Sequence, residues 1–148
     1  MAAEYMHIGI PVLNRKPGMV YNEWGKFWVN ESVDEYDYKI EYLKFEEGTR
    51  FPELLSKQPH VAYKVDDAEP YLAEADRVIF GPEALGENVR LAFIVKDDAI
   101  IELYEEKYAP GGRPLPGGAF LFPQCSQIIY RRREKLYGKG RIVCYNIG

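Results

Sequence analysis

Two histidines and two glutamates occupy equivalent positions in an internal repeat of this sequence. The hexapeptide that begins at His7 reads HIGIPV, and the one that begins at His60 reads HVAYKV. In both, the histidine is followed by a β-branched residue, a tiny residue and an apolar residue, and both end in valine. Later in each copy a glutamate directly follows an isoleucine, at Glu41 and at Glu102. The chain contains only two histidines, so their matching places in a repeat predict a shared role.

These four side chains have the chemistry to surround one divalent metal ion. A carboxylate on an apolar strand face is costly unless it is paired or bound to a metal, and Glu41 shares its predicted face with Leu43 and Phe45. Nitrogen and oxygen donors without a thiolate suit zinc, nickel, cobalt, manganese or iron(II). The predicted metal ligands are His7, Glu41, His60 and Glu102. Taken singly, each residue has a structural alternative: a partly buried histidine with its own partners, or a glutamate that faces solvent at a strand edge.

Short strands must position these side chains. Alternating apolar residues predict strands over residues 6–12, 38–45, 60–65, 77–80, 88–95 and 99–104, and a strand-like segment over 19–29. One helical turn is expected within 51–58 and a helix over 66–75. In each histidine strand the imidazole shares its face with a tiny residue, Gly9 or Ala62, so we expect space beside the ring.

Three pieces of the sequence resemble the vicinal oxygen chelate superfamily: HIGIPV from His7, PHVAYKVDD from Pro59 and IELYE from Ile101. This superfamily includes glyoxalase I, methylmalonyl-CoA epimerase, extradiol dioxygenases and bleomycin-resistance-type binding proteins. The resemblance implies a glyoxalase-like α+β fold, in which paired βαβββ modules form a mixed, curled sheet around a cleft. The modules would span about residues 6–55 and 59–105 of a domain over 1–109. The first copy departs from the pattern, since it lacks a clear helix after its first strand.

The resemblance also implies a mechanism. In metal-dependent members each module supplies one ligand from its first strand and one from its last, which here are His7, Glu41, His60 and Glu102. In glyoxalase-like and epimerase-like members the metal polarises vicinal oxygens, and a loosely held carboxylate moves a proton. Glu41 and Glu102 are the catalytic candidates, with Glu102 expected as the firmer ligand. We therefore expect a lyase or isomerase that acts on a small oxygenated substrate.

Two other functions remain open. A metal-free module of the same fold would sequester or sense a small molecule, and the aromatic content of 14% suits stacking on planar ligands. An iron(II) extradiol dioxygenase would use two histidines and one carboxylate, which leaves positions for oxygen and a catechol. Trp24, Phe27 and Trp28 are candidates for a pocket lining, or equally for core or interface.

Composition and charge exclude several classes of protein. The net charge of −4 argues against a nucleic-acid partner. The apolar runs are too short to span a bilayer and no secretory signal is recognisable, so we expect no membrane partner and a cytoplasmic location. Cys125 and Cys144 make neither a disulfide framework nor a zinc cluster. Residues 110–148, a Gly/Pro linker and extension, are expected to add a strand or a contact in a homodimer.

Overall fold

The computed structural model describes residues 3–35 and 37–107, in which strands predominate. The strands are β1 (Glu4–Pro11), β2 (Met19–Asn22), β3 (Phe27–Asn30), β4 (Ile40–Phe45), β5 (His60–Val65), β6 (Arg77–Ala84), β7 (Val89–Lys96) and β8 (Ala99–Glu106). The helical elements are α1 (Glu53–Lys57), α2 (Glu69–Glu74) and one 3₁₀ turn (Val33–Glu35). The α+β class that the sequence predicts is therefore confirmed.

All eight strands form one mixed sheet in the order β2-β3-β4-β1-β5-β8-β7-β6. This order divides into two equivalent halves, because β1–β4 and β5–β8 have the same arrangement around their first strand. In each half the first strand pairs in parallel with the last, β1 with β4 and β5 with β8. The halves join where β1 and β5 pair antiparallel. The two histidine strands therefore lie side by side at the centre of the sheet.

The halves differ in the connection that follows the first strand. In the second half α2 follows β5, whereas in the first half residues 12–18 connect β1 to β2 without a helix. The segment that the sequence predicts to be strand-like, 19–29, contains two strands, since β2 and β3 form a hairpin there. Asn22 Oδ1 accepts a hydrogen bond of 2.8 Å from the backbone of Gly25, and Lys26 adopts a φ of 52°. These features reverse the chain direction between β2 and β3, in a stretch whose aromatic residues give no sequence signal for a turn.

Strand β6 extends further than the sequence predicts. Its expected end was residue 80, before Gly81, but the strand continues to Ala84 and stays paired with β7. Gly81 has a φ of 71°, and a Cβ at this position would lie 2.3 Å from the backbone oxygen of Leu91. Because glycine tolerates both the angle and the close approach, the register shifts locally and the pairing resumes.

Apolar side chains pack on both faces of the sheet, as the alternation along β7 shows. Leu91 and Phe93 belong to one cluster, and Ala92 and Ile94 belong to the other. The buried residues of the larger cluster are Phe27, Leu43, Phe51, Leu55, Leu85, Leu91, Phe93 and Ile100. The smaller cluster packs against Tyr71 and Leu72, which α2 contributes. We call the face of the larger cluster the inner face, because it also carries the predicted metal ligands.

Several predictions concern parts of the chain that the structure does not describe. The domain boundary after residue 109, the extension over 110–148, Cys125 and Cys144 all lie outside the described residues. The homodimer and the cytoplasmic location also stay predictions. Within 3–35 and 37–107, no helix combines the length and the apolar character needed to cross a bilayer.

Candidate metal centre

The register of four adjacent strands brings the predicted ligands together. In the order β4-β1-β5-β8, a tiny residue on β1 or β5 pairs with a histidine on one neighbouring strand and with a glutamate on the other. The histidine and the glutamate of each such row belong to different halves. This pattern occurs twice, in two cross-strand rows that run in opposite directions. The rows are Glu41–Gly9–His60 and Glu102–Ala62–His7. The junction between β1 and β5 is thus an approximate twofold axis, and each half supplies one histidine and one glutamate.

The tiny residues make room for the histidine of the neighbouring strand. A Cβ added to Gly9 would lie 2.0 Å from Cε1 and 2.2 Å from Nε2 of His60. Ala62, which is fully buried, pairs with His7 in the same way. The sequence predicts free space beside each imidazole on its own strand. That space is instead filled by the other imidazole, because the two strands are antiparallel and in this register.

The polar ends of the four side chains meet on the inner face. His60 Nε2 lies 3.0 Å from Glu102 Oε2, and His7 Nε2 lies 3.5 Å from the same oxygen. Glu41 Oε2 lies 3.3 Å from His7 Nε2. One potential ligand atom of each residue lies within 4.8 Å of those of the other three. The structure therefore brings all four predicted residues to one point, where Glu102 contacts both histidines.

Burial makes the charges of this cluster strongly interdependent. All four residues are buried, with exposures between 1% for His7 and 7% for Glu41. Burial alone would lower the pKa of His7, but its contacts with Glu102 and Glu41 outweigh that effect and raise the pKa from 6.5 to about 10. Burial alone would raise the pKa of Glu102, but His60 and His7 lower it from 4.5 to about 2. Without a metal, these shifts favour a protonated His7 that lies between the carboxylates of Glu41 and Glu102.

A divalent ion fits this set of donors. Both ring nitrogens of the buried His60 lack a well-aligned hydrogen bond among the described residues, although buried polar atoms are normally satisfied. Tetrahedral ligands that lie about 2.0–2.1 Å from zinc are separated from one another by about 3.3–3.4 Å. The contacts between ligand atoms here measure 3.0, 3.3 and 3.5 Å. Two carboxylates would also neutralise the charge of the ion, which removes the cost of burying them.

A small cavity on the inner face opens onto the cluster. Its volume is about 30 Å³, counted as the space open to the centre of a water molecule, which is enough for one or two waters. Three of the four candidate ligands line it: Glu41, His60 and Glu102. The remaining lining residues are Phe27, Leu43, Phe45, Phe51, Leu55, Leu85, Leu91 and Phe93. An ion in the cluster would therefore face a small and mostly apolar chamber.

Of the three aromatic residues that the sequence suggests for a pocket, Phe27 lines the cavity. Trp24 packs near it in the apolar cluster, with its ring centre 5.7 Å from that of Phe51. Trp28 lies on the opposite face of β3, where its Nε1 donates a hydrogen bond of 2.9 Å to Glu46. The hairpin explains this division, since alternate residues of β3 point to opposite faces.

Sequence reasoning missed Phe51 and Phe93 as parts of the site. Phe93 packs edge-on against His60, with ring centres 5.2 Å apart and planes at 87°. The alternation along β7 is visible in the sequence, but nothing there indicates which face meets the histidines. Phe51 comes from the connection between the two halves, a segment that carries no strand periodicity.

Comparison with known proteins assigns no family to this chain. No protein-family model matches it, and no curated protein sequence matches it significantly. The inference of function therefore depends on the geometry and chemistry of the cluster and its cavity.

Proposed function

We propose that this protein is a metal-dependent enzyme related to the vicinal oxygen chelate superfamily, a glyoxalase-like lyase or isomerase that acts on a small oxygenated substrate. The observation that carries the proposal is the buried cluster of two histidines and two glutamates beside an apolar cavity. The sheet supports the same relationship, since two equivalent halves join through their first strands. Each half then contributes two ligands, as in the paired modules of that superfamily.

A divalent ion bound here would supply Lewis-acid polarisation of adjacent oxygen atoms in the substrate. His7 and His60 would hold it through Nε2, the atoms that face the carboxylates. Glu102 is the firmer carboxylate ligand, because it lies against both histidines and its side chain is 5% exposed. The apolar lining keeps bulk water away, which strengthens each electrostatic interaction within the chamber.

Glu41 is the better candidate for the general base. Its side chain is 10% exposed, twice the value for Glu102. Of the two histidines, Glu41 contacts only His7 within the described part of the chain, whereas Glu102 contacts both. A carboxylate held by fewer contacts would be able to accept a proton from the carbon next to the substrate oxygen. Because Glu41 also lines the cavity, it can reach a substrate that lies there.

Metal analysis of the purified full chain tests this proposal. After growth with zinc, nickel and manganese, the wild-type protein should retain about one ion per chain, whereas His60→Ala should lose most of it. Glu46→Gln is the control, since this carboxylate directly follows β4, the strand that carries Glu41, but contacts Trp28 and Lys44. Wild-type protein with less than about a tenth of an equivalent would rule out a stable metal site.

The second candidate is a metal-free module that binds or sequesters a small molecule. The aromatic lining of the cavity favours it, because such walls bind planar groups. A ligand-induced thermal shift that EDTA does not alter would support this function over the first. An iron(II) extradiol dioxygenase fits less well, because Glu41 adds a fourth protein ligand where that chemistry needs open positions. Iron-dependent oxygen uptake with a catechol would support it.

A further inference from the structure

The walls of the cavity indicate the kind of ligand that it takes. Apart from the candidate metal ligands, every described residue that lines it is apolar. The ring of Phe51 lies 5.7 Å from that of Phe27 and 5.8 Å from that of Phe93, measured between centres. His60 is the one described lining residue whose side chain carries an N–H group. Beyond the cluster, the chamber therefore offers apolar contact and no described side-chain hydrogen bond.

Among the described residues, no lysine or arginine is placed to pair with an anionic group in the cavity. None of the described lining residues is lysine or arginine. Arg50 precedes Phe51 in the chain, but its guanidinium lies 4.1 Å from the centre of the Trp24 ring and pairs with Glu83 at 2.5 Å. The two carboxylates of the cluster would already neutralise a divalent ion. A further carboxylate or phosphate in the chamber would thus be buried without a counter-charge from the described residues, which is costly.

We infer that the site takes a small ligand with an uncharged, apolar body, about the size of one aromatic ring, and two adjacent oxygen atoms that face the cluster. The oxygen atoms depend on the proposed function, because they are the metal-binding end of the ligand. The apolar, uncharged body depends on the cavity lining alone. The described lining offers no counter-charge for a substrate carried on an anionic group, such as an acidic peptide or a nucleotide.

A ligand of this size is larger than the empty cavity. The cavity holds one or two waters, so a larger ligand must displace part of the wall. Most of the wall belongs to strands held by the sheet, but Phe51 and Leu55 belong to the connection that contains α1. This helix has five residues and no side-chain hydrogen bond at its N-cap, and so short a helix is marginal without its packing. If Phe51 moved out of the wall, a ligand ring in its place would make the apolar contacts with Phe27 and Phe93 that Phe51 makes now.

Three chelators with the same pair of oxygens test the inference. Benzohydroxamic acid carries a phenyl ring, acetohydroxamic acid carries a methyl group, and 4-carboxybenzohydroxamic acid adds a remote carboxylate. Titrated into the metal-loaded full chain, the phenyl probe should bind about tenfold or more tighter than the methyl probe. It should also bind about tenfold or more tighter than the carboxylated probe.

Two variants locate the effect in the cavity. Phe45→Lys places a cation at a partly exposed position of the lining and should remove the penalty on the carboxylated probe. Val78→Lys is the control, since Val78 is 42% exposed and lies outside the lining. It should leave the order of the three probes as in the wild type.

The outcomes separate this inference from the proposed function. If metal is bound but the carboxylated probe binds as tightly as the phenyl probe, the inference is wrong and the metal site stands. If the wild-type protein holds no metal, the proposed function is wrong. In that case a thermal shift with the phenyl probe alone still supports an apolar ligand, and no shift with any probe overturns the inference too.

Discussion

Replacement of Gly9 by alanine tests how the candidate metal centre is built. Gly9 lies between Glu41 and His60 in one cross-strand row, and a Cβ there would lie 2.0 Å from Cε1 of His60. Ordinary van der Waals contact begins at 3.4 Å, and the added Cβ would lie only 2.0 Å from the ring. The imidazole must therefore move by about 1.4 Å, which is too far for its nitrogen to keep its place among the candidate ligand atoms. The ring has little freedom to do so, because it is 2% exposed and Phe93 packs against it.

The expected magnitude comes from two opposing effects. Alanine in a strand is intrinsically more favourable than glycine by about 0.5–1 kcal/mol. Forcing extra volume into a packed site costs about 1–3 kcal/mol, so we expect Gly9→Ala to destabilise the metal-free protein by about 1–2 kcal/mol. Displacement of a direct ligand should weaken metal binding by more than the roughly 10–100-fold that is usual for loss of an outer contact.

A double-mutant cycle identifies the cause. Urea denaturation in EDTA measures stability, and competition with a chromogenic chelator measures metal affinity. In a His60→Ala background the added methyl group of Gly9→Ala has room, so there it should be neutral or slightly stabilising. Wild-type metal affinity in Gly9→Ala, or the same destabilisation in both backgrounds, would refute the idea that Gly9 exists to accommodate His60.

Three further predictions follow from the charges. Glu102→Gln should weaken metal binding more than Glu41→Gln, because Glu102 contacts both histidines, whereas Glu41→Gln should keep the metal and lose proton transfer; equal metal loss in calorimetry would contradict this. Metal-free protein should lose stability as the pH rises from about 6.5 to about 10, because folded His7 keeps a proton that the unfolded chain releases. The stability that ionised Glu102 contributes should disappear as the pH falls from 4.5 towards 2. Urea midpoints measured across pH should show both trends, and His7→Gln should flatten the first. Arg90→Met should destabilise the protein by about 1–3 kcal/mol, because Arg90 donates a hydrogen bond of 3.0 Å to the fully buried Glu105 and lowers its pKa; an unchanged urea midpoint would show that this pair contributes nothing.

The convergence of the four candidate residues could be predicted from sequence because the repeat marks them. A lone strand histidine says little, but His7 and His60 begin matching hexapeptides and Glu41 and Glu102 follow matching isoleucines. Local periodicity also sufficed for β7, which spans Val89–Lys96 against an expected 88–95. Where a feature depends on the alternation of side chains within one strand, the sequence contains the information.

Features that depend on contacts between distant segments could not be predicted. The use of Gly9 to accommodate His60 depends on the register between β1 and β5, which no local pattern specifies. The continuation of β6 beyond Gly81 depends on the approach of β7. The lining contributed by Phe51 depends on how the connection between the halves folds back over the inner face.

The position of the cluster at the junction of the halves has a consequence for stability. Neither half contains more than one histidine and one glutamate of the cluster, so an ion bound by all four residues must cross the β1–β5 junction. An ion that binds the folded state alone stabilises it in proportion to its affinity. Here that stabilisation would apply to the pairing of β1 with β5, which brings the four side chains together. If the cluster binds a metal ion as proposed, metal binding and the joining of the two halves form one coupled equilibrium, because the four ligands come from both halves.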